Sequence, residues 1–141
     1  MNKIWQILKK WFIEMGSPPL FYRWSSNIAP WLGILALIIL SLGLYWGLFI
    51  APTDYKQGDV YRILYIHVPS AILGESIFMF MAICGFINVV WRAKISGMML
   101  KSAAPIGMSF TLVVLVTGSV WGKPTWGTWW VWDARLTSTL I

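Results

Sequence analysis

The sequence predicts an all-α integral membrane protein, and three observations lead to that prediction. Hydrophobic residues make up 58% of the 141 positions and charged residues only 11%, whereas charged residues form about a quarter of a typical soluble domain. Three apolar runs are each long enough to cross a bilayer. The basic residues are also concentrated in alternate connecting segments, as they are beside membrane spans.

The apolar runs lie at about 31–50, 69–91 and 103–121, and the first of them carries no charge. At a rise of about 1.5 Å per residue, a helix of about twenty residues covers the roughly 30 Å of the hydrocarbon core. A lone span in lipid must satisfy its own backbone hydrogen bonds, so we expect helices. A barrel would require alternating strands of about ten residues, which these runs do not show.

Residues 1–30 form a separate N-terminal segment. Its first part, MNKIWQILKKWFIEM, has the apolar spacing of an amphipathic helix that lies on the cytoplasmic membrane surface with its lysines toward anionic headgroups. The stretch GSPPL at 16–20 is expected to end that helix before the first span. Charges interrupt the apolar positions and no small-residue cleavage site follows, which argues against a signal peptide.

The distribution of basic residues predicts the orientation in the membrane. Seven of them lie in the segment 1–30 and the loop 92–101, and four lie in the loops 51–68 and 122–135, mixed with acids. The positive-inside rule puts the N-terminus and the loop 92–101 in the cytoplasm, and the other two loops outside. The net charge of +6 is therefore a topology signal, and we expect no nucleic-acid partner.

A further apolar stretch begins at LTSTLI, where the sequence stops. We interpret it as the start of a fourth transmembrane helix, so that residues 31–141 would be a truncated transmembrane domain with outer loops at 51–68 and 122–135. The one cysteine, Cys84, lies inside the second run, where we expect a small buried packing residue.

The most unusual feature is the run WGKPTWGTWWVWD at 121–133, which holds five tryptophans and ends on Asp133. Tryptophan is common at membrane interfaces, and that role accounts for Trp121 at the end of a span. An interface needs only one or two anchors per helix end, so it accounts less well for Trp126, Trp129, Trp130 and Trp132. If 125–135 is helical, the first three of these and Asp133 share one face. An interfacial belt and a ligand platform remain equal alternatives.

Glycine and proline interrupt the approach to this platform, at Gly122, Pro124 and Gly127. These residues predict a turn-like approach that lets the backbone come close to a partner.

The single histidine, His67, stands in the stretch YRILYIHVPS. Pro69 suits the first turn of a helix and biases Val68 toward extended geometry, so we expect His67 at the end of the outer loop, just outside the membrane. A lone histidine is most often an ordinary interfacial or hydrogen-bonded residue. Imidazole is also a common axial ligand of haem iron, and an outward histidine near an outward tryptophan surface would suit a flat aromatic metal macrocycle.

Three stretches of the chain resemble one family. AAPIGMSFTLVVLVTGSVWGKPTWGTWWVWDARLTS is very similar to the tryptophan-rich signature of haem-handling membrane proteins. Within that group the chain resembles the haem exporter protein C family of cytochrome c maturation: APTDYKQGDVYRILYIHVPSA is similar to the first outer loop of that family, and FYRWSSNIAPWLGILAL to its approach to the first span. The resemblance covers nearly the whole chain from about residue 20.

The resemblance implies a six-helix inner-membrane protein that displays haem b on its outer face and passes it to a membrane-anchored haem chaperone. His67 would be one axial ligand, and the second ligand of the family would lie beyond Ile141. Further implied partners are the ATPase and membrane subunits of an ABC transporter, a small single-span membrane subunit and the lipid bilayer. The haem platform and part of the chaperone dock would be formed by Trp121, Trp126, Trp129, Trp130 and Trp132.

Charged residues near the tryptophans have more than one interpretation. Asp133 is expected to position the segment, or to pair locally with Arg135. Arg135 and Lys123 could meet the haem propionates, although for Lys123 an outer-side anchor is preferred. Glu75, inside the second span, is either functional or a paired structural acid.

Two other functions remain open. A substrate-translocating subunit would need polar residues along several spans, and Glu75, Asn88 and some hydroxyl residues are few for that role. A ligand-free membrane anchor would tolerate phenylalanine at Trp129 and Trp130. The sequence shows no nucleophile–base pair and no phosphate-binding loop, so we do not expect an enzyme.

Overall fold

The structure is a computed structural model that describes residues 3–15 and 17–141. Its helices are α1 (Lys3–Met15), α2 (Pro18–Tyr45), α3 (Leu64–Trp91), α4 (Lys94–Trp126) and α5 (Ala134–Leu140). A π-helical turn at Trp46–Ile50 continues α2, and a 3₁₀ turn at Asp59–Ile63 leads into α3. The described residues include no strand, and the predicted all-α class is confirmed.

Three stretches of helix are long and apolar enough to cross a membrane: Pro18–Ile50, Asp59–Trp91 and Lys94–Trp126. Many large apolar side chains on these stretches remain exposed, including Trp31, Leu37 and Phe86. Exposed apolar surface of this extent is expected where side chains face lipid. The chain is therefore a multi-pass membrane protein, as its composition predicts.

The helices are longer than the apolar runs that predict them. Helix α1 ends at Met15, before the stretch GSPPL, and α2 begins at Pro18 and runs through Pro30 instead of starting near position 31. Proline is favoured at the first helical position because its missing N–H has no partner there. Hydropathy reports where a chain enters the hydrocarbon, whereas a helix can continue into the interface.

The helices α3 and α4 form an antiparallel pair that contains most of the helix-to-helix packing among the described residues. A short turn at Arg92 and Ala93 joins them. Small residues allow the two backbones to approach: a Cβ on Gly107 would lie 3.1 Å from Ile77 Cγ2. Cys84 is 4% exposed in this interface, which confirms the prediction of a buried packing residue. The pairing brings the start of α3 and the end of α4 together.

Arg62 ties the end of the first span to the start of α3. Its Nη1 donates hydrogen bonds to the carbonyl oxygens of Leu48 at 2.9 Å and Gly47 at 3.3 Å, and its Nε donates to Asp59 Oδ1 at 3.0 Å. The last carbonyls of a helix have no partner within the helix, so a side-chain donor here satisfies groups that would otherwise be unpaired. The guanidinium therefore holds α2 against the α3–α4 pair.

Replacing Arg62 with methionine should lower the free energy of unfolding by about 2 kcal/mol, because charged hydrogen bonds to two helix-end carbonyls are lost. The measurement is thermal or denaturant unfolding in detergent, with hydrogen exchange at 46–50 to localise the effect. The matched control is Asp59→Asn, which should cost less, since the Asp59 side chain is 75% exposed and exposed ion pairs contribute little. Equal losses in the two variants would contradict the assignment.

Candidate functional site

His67 lies in the first turn of α3, which begins at Leu64, and this corrects the expectation that Val68 is extended and that His67 ends a loop. Pro69 is inside the helix. Its ring removes the hydrogen bond to the carbonyl four residues earlier, which transmembrane helices tolerate because neighbouring groups can satisfy the freed backbone group. His67 is thus carried by a helix and not by a loop.

The imidazole of His67 packs against one face of α4. Its Nδ1 lies 2.9 Å from the Oγ1 of Thr117. Its ring meets the Trp121 indole edge to face, with centroids 5.7 Å apart and an interplanar angle of 72°. Gly118 permits this approach, because a Cβ there would lie 3.1 Å from His67 Cε1. Helix α4 therefore fixes the ring from three neighbouring positions.

The loop 51–58 closes over the same cluster. Trp121 donates its indole N–H to Gln57 Oε1 at 2.8 Å. Asp54 Oδ1 accepts hydrogen bonds from the backbone N–H groups of Gln57 at 2.8 Å and Lys56 at 2.9 Å, and these bonds hold the pKa of Asp54 below its ordinary value. Because the pKa of Asp54 is lower in the folded state, these hydrogen bonds stabilise the fold at neutral pH. Their contribution to stability is lost as the pH falls through the folded-state pKa.

The tryptophan-rich segment is not one helix. Helix α4 includes Gly122 and Pro124 and ends at Trp126, and Gly127 follows it with a left-handed φ of +79°. The expectation of a turn-like approach is therefore correct only for Gly127. Glycine adopts this conformation without the steric cost of a Cβ, so it ends the helix. The shared face that would require a helix over 125–135 is accordingly not formed.

Beyond Gly127 the chain folds back along α4. The rings of Trp130 and Trp132 pack edge to face with centroids 5.5 Å apart. They line a shallow apolar groove of about 520 Å³ together with Leu140 and four residues of α4, which are Leu115, Val116, Ser119 and Val120. The Nε1 of Trp130 is buried and has no hydrogen-bond partner among the described residues, whereas Trp129 and Trp132 are exposed.

This groove and His67 lie on opposite faces of α4. Successive helical residues are rotated by about 100°, so Thr117, Gly118 and Trp121 share one side of the helix. The four groove residues, at positions 115, 116, 119 and 120, are rotated to the other side. The structure thus brings Trp121 to His67 and places Trp130 and Trp132 across the helix.

The two charged residues at the end of the run, Asp133 and Arg135, lie at the start of α5. Asp133 is its N-cap: Oδ1 accepts a hydrogen bond from the Leu136 N–H at 2.7 Å, and Oδ2 lies 3.4 Å from Arg135 Nη2. The Arg135 guanidinium also lies over the Trp126 ring, 5.6 Å from its centroid. Both interpretations of Asp133, positioning and local pairing, thus correspond to contacts. Asp133 caps the start of α5, and Arg135 provides a cation beside Trp126.

Two other charged residues have simpler positions. Lys123 donates a hydrogen bond to the Gly127 carbonyl at 3.1 Å, a usual arrangement at a helix C-terminus. Glu75 is exposed on α3. No group of three or more His, Cys, Asp or Glu side chains that could hold a metal ion occurs in the described part of the chain.

The residues around His67 that the sequence interpretation missed are Gln57, Thr117 and Gly118. All three lie in the stretches that carry the family resemblance, but their residue types do not by themselves indicate a contact with the histidine. Thr117 and Trp121 are spaced as neighbours on one helical face, but only the pairing of α3 with α4 reveals that this face meets the histidine.

Fold and site together define a multi-pass α-helical membrane protein whose histidine and tryptophan-rich run lie at the same end of a helix pair. A family model described as heme exporter protein C matches residues 11–141. The chain belongs to the heme exporter protein C family. The expectation that it is not an enzyme agrees with that family, which comprises membrane transport and maturation components.

Curated relatives agree with this assignment. The chain is 49% identical over 128 residues to the heme exporter protein C of Escherichia coli strain K12, covering 91% of this chain and 52% of that protein. It is 46% identical over 132 residues to that of Haemophilus influenzae, covering 94% and 54%. It is 41% identical over 128 residues to that of Rhodobacter capsulatus, covering 91% and 53%. The chain thus spans about half the length of the curated relatives it matches.

Proposed function

We propose that this chain binds haem b through the Nε2 atom of His67 and presents it to a haem chaperone during cytochrome c maturation. The observation that supports this most directly is the placement of His67. Its imidazole is held between α3 and α4, in contact with Trp121, where the tryptophan-rich run begins. Membership of the heme exporter family supports the identity of the ligand.

The residues beside His67 fit a haem group. Nδ1 is engaged by Thr117, so Nε2 is the ring nitrogen left to bind iron. Haem supplies an iron with axial positions, a flat apolar ring and two anionic propionates. The Trp121 indole offers a surface for that ring, and the guanidinium of Arg135, which lies over Trp126, offers a propionate the bidentate partner that carboxylates favour.

The tryptophans across α4 are assigned to the surface that meets the chaperone. Trp130 and Trp132 line an apolar groove, and the buried Trp130 N–H is a donor without a partner among the described residues. Trp129 stands exposed beside them. Asp133 fixes the end of this segment by capping α5. A partner that brings apolar side chains and one hydrogen-bond acceptor would complete this surface.

The proposed location is the inner membrane, with the N-terminus and the Arg92 turn in the cytoplasm and His67 on the periplasmic side. The distribution of basic residues supports this orientation. Besides the chaperone, the proposed partners are the ATPase and membrane subunits of an ABC transporter and a small single-span membrane subunit.

Haemin titration of the chain in lipid nanodiscs tests the proposal, together with a Trp129→Phe/Trp130→Phe variant. We expect saturable binding with the absorption spectrum of nitrogen-ligated haem in both proteins. The variant should transfer haem to the purified chaperone about tenfold more slowly, because phenylalanine cannot donate the hydrogen bond. Loss of the Trp130 N–H should not itself lower the stability, since that N–H has no partner among the described residues.

The matched control is Trp46→Phe, which changes an exposed tryptophan at the end of the first span and should leave binding and transfer unchanged. Failure of the wild-type chain to bind haemin saturably would overturn the haem assignment. Normal transfer by the double variant would instead indicate that these tryptophans form an interfacial belt.

A further inference from the structure

We infer that Thr117 is a positioning residue that keeps the proton of His67 on Nδ1 and leaves the lone pair on Nε2. The inference rests on the proposed function in its last step, where Nε2 binds iron. Its first step, the position of the proton, depends only on the contacts of the Thr117 hydroxyl with His67 Nδ1 and with the backbone carbonyl of Val113.

The hydroxyl of Thr117 has one hydrogen, two close neighbours and a more distant one, the backbone carbonyl oxygen of Val114 at 3.4 Å. Its Oγ1 lies 2.6 Å from the backbone carbonyl oxygen of Val113 and 2.9 Å from His67 Nδ1. A carbonyl oxygen can only accept, so the 2.6 Å contact requires the hydroxyl hydrogen to point at Val113. If that hydrogen pointed at the imidazole instead, two oxygens would stand 2.6 Å apart with no hydrogen between them.

With its hydrogen directed at Val113, the Thr117 oxygen can only accept from the imidazole. His67 Nδ1 must therefore carry a hydrogen, and in the neutral ring Nε2 then carries the lone pair. Metal-binding histidines commonly donate their second ring N–H to an outer partner that sets tautomer and orientation. In this chain the partner is a threonine hydroxyl that is itself anchored to the backbone of α4.

The surroundings of the ring make this orientation specific. The absence of a side chain at Gly118 lets the imidazole reach Thr117, because a Cβ there would lie 3.1 Å from His67 Cε1. The indole of Trp121 meets the ring edge to face on the next turn of α4. These two contacts limit rotation of the ring, and the hydrogen bond to Thr117 selects which nitrogen remains unprotonated.

Nitrogen-15 NMR of the full chain in nanodiscs, with selectively labelled histidine, tests the inference without haem. Because the chain contains one histidine, all ring signals belong to His67. We expect a protonated Nδ1 and an unprotonated Nε2 in the wild type and in Thr117→Ser, which keeps the hydroxyl. In Thr117→Val, which keeps the shape, a large share of the rings should shift the proton to Nε2.

The matched control is Thr111→Val. Thr111 also donates to a carbonyl of α4, that of Gly107 at 3.0 Å, but no hydrogen bond joins it to His67. This variant should leave the histidine signals unchanged. A tautomer shift in Thr111→Val equal to that in Thr117→Val would overturn the inference, as would a wild-type ring with its proton on Nε2.

Haemin titration of the same variants connects the tautomer to ligation. Thr117→Val should bind haemin about 10- to 100-fold more weakly, the usual cost of removing an outer partner of a metal ligand, and Thr117→Ser should restore the affinity. Equal haemin affinity in Thr117→Val would overturn the positioning role. The wild-type chain could show the expected tautomer but no change in its His67 nitrogen signals when haemin is added. That result would overturn the proposed function, while the hydrogen bond to Thr117 would stand.

Discussion

Replacing His67 with alanine should abolish nitrogen-ligated haem binding by this chain. The chain contains no second histidine that could supply an imidazole in its place. We expect a loss of more than about 100-fold in haemin affinity, greater than the 10- to 100-fold typical of an outer partner. Absorption titration in nanodiscs measures the loss through the disappearance of the nitrogen-ligated spectrum.

Free imidazole provides a control for folding of the His67→Ala variant. The side chain that is removed is partly buried between α3 and α4, so its loss leaves space next to Thr117 and Trp121. Millimolar imidazole should restore the spectrum if the variant is folded and lacks only the ligand. Equal haem spectra with and without His67, before imidazole is added, would remove the ligand assignment.

The sequence predicts the fold well because lipid restricts the choices. A charge-free run such as 31–50 is long enough to cross the bilayer, and a helix satisfies its backbone groups where no water is present. The helix boundaries follow less directly, because they depend on local geometry. Pro18 begins α2 and Gly127 ends α4, and neither position coincides with a change in hydropathy.

The sequence predicts which residue types form the candidate site, but it does not predict which residues contact one another. His67 and Trp121 stand out because imidazole and indole are rare and chemically specific. Thr117 and Gln57 do not stand out, and they reach their partners across 50 and 64 residues of chain. Such contacts depend on the register between α3 and α4 and on the path of the loop 51–58. Neither the register nor the loop path produces a local pattern in a single sequence.

The same limit applies to the tryptophan-rich run. Its spacing suggests one aromatic face, but that face requires a continuous helix. Once Gly127 ends α4, Trp130 and Trp132 turn back onto the side of α4 away from His67. The run therefore contributes Trp121 to the histidine cluster and a separate pair of indoles to another surface.

Replacing Trp121 with leucine should weaken haemin binding by about 10- to 100-fold, as expected for an outer partner of the ligand. Leucine removes the edge-to-face contact that limits rotation of the His67 ring, and it removes the hydrogen bond to Gln57 that holds the loop 51–58. Haemin titration measures the first effect. Hydrogen exchange across 51–58 measures the second, and we expect faster exchange there.

Two further variants separate the roles of the indole. Trp121→Phe keeps a ring beside His67 but has no N–H, so it should loosen the loop while retaining most of the haemin affinity. Trp132→Leu changes a residue that is 76% exposed across α4, so it should leave the His67 nitrogen signals and haemin affinity unchanged. If Trp132→Leu instead weakens haemin binding as much as Trp121→Leu does, the macrocycle must reach both faces of α4. The described packing of Trp130 and Trp132 along that helix would then have to open when haem binds.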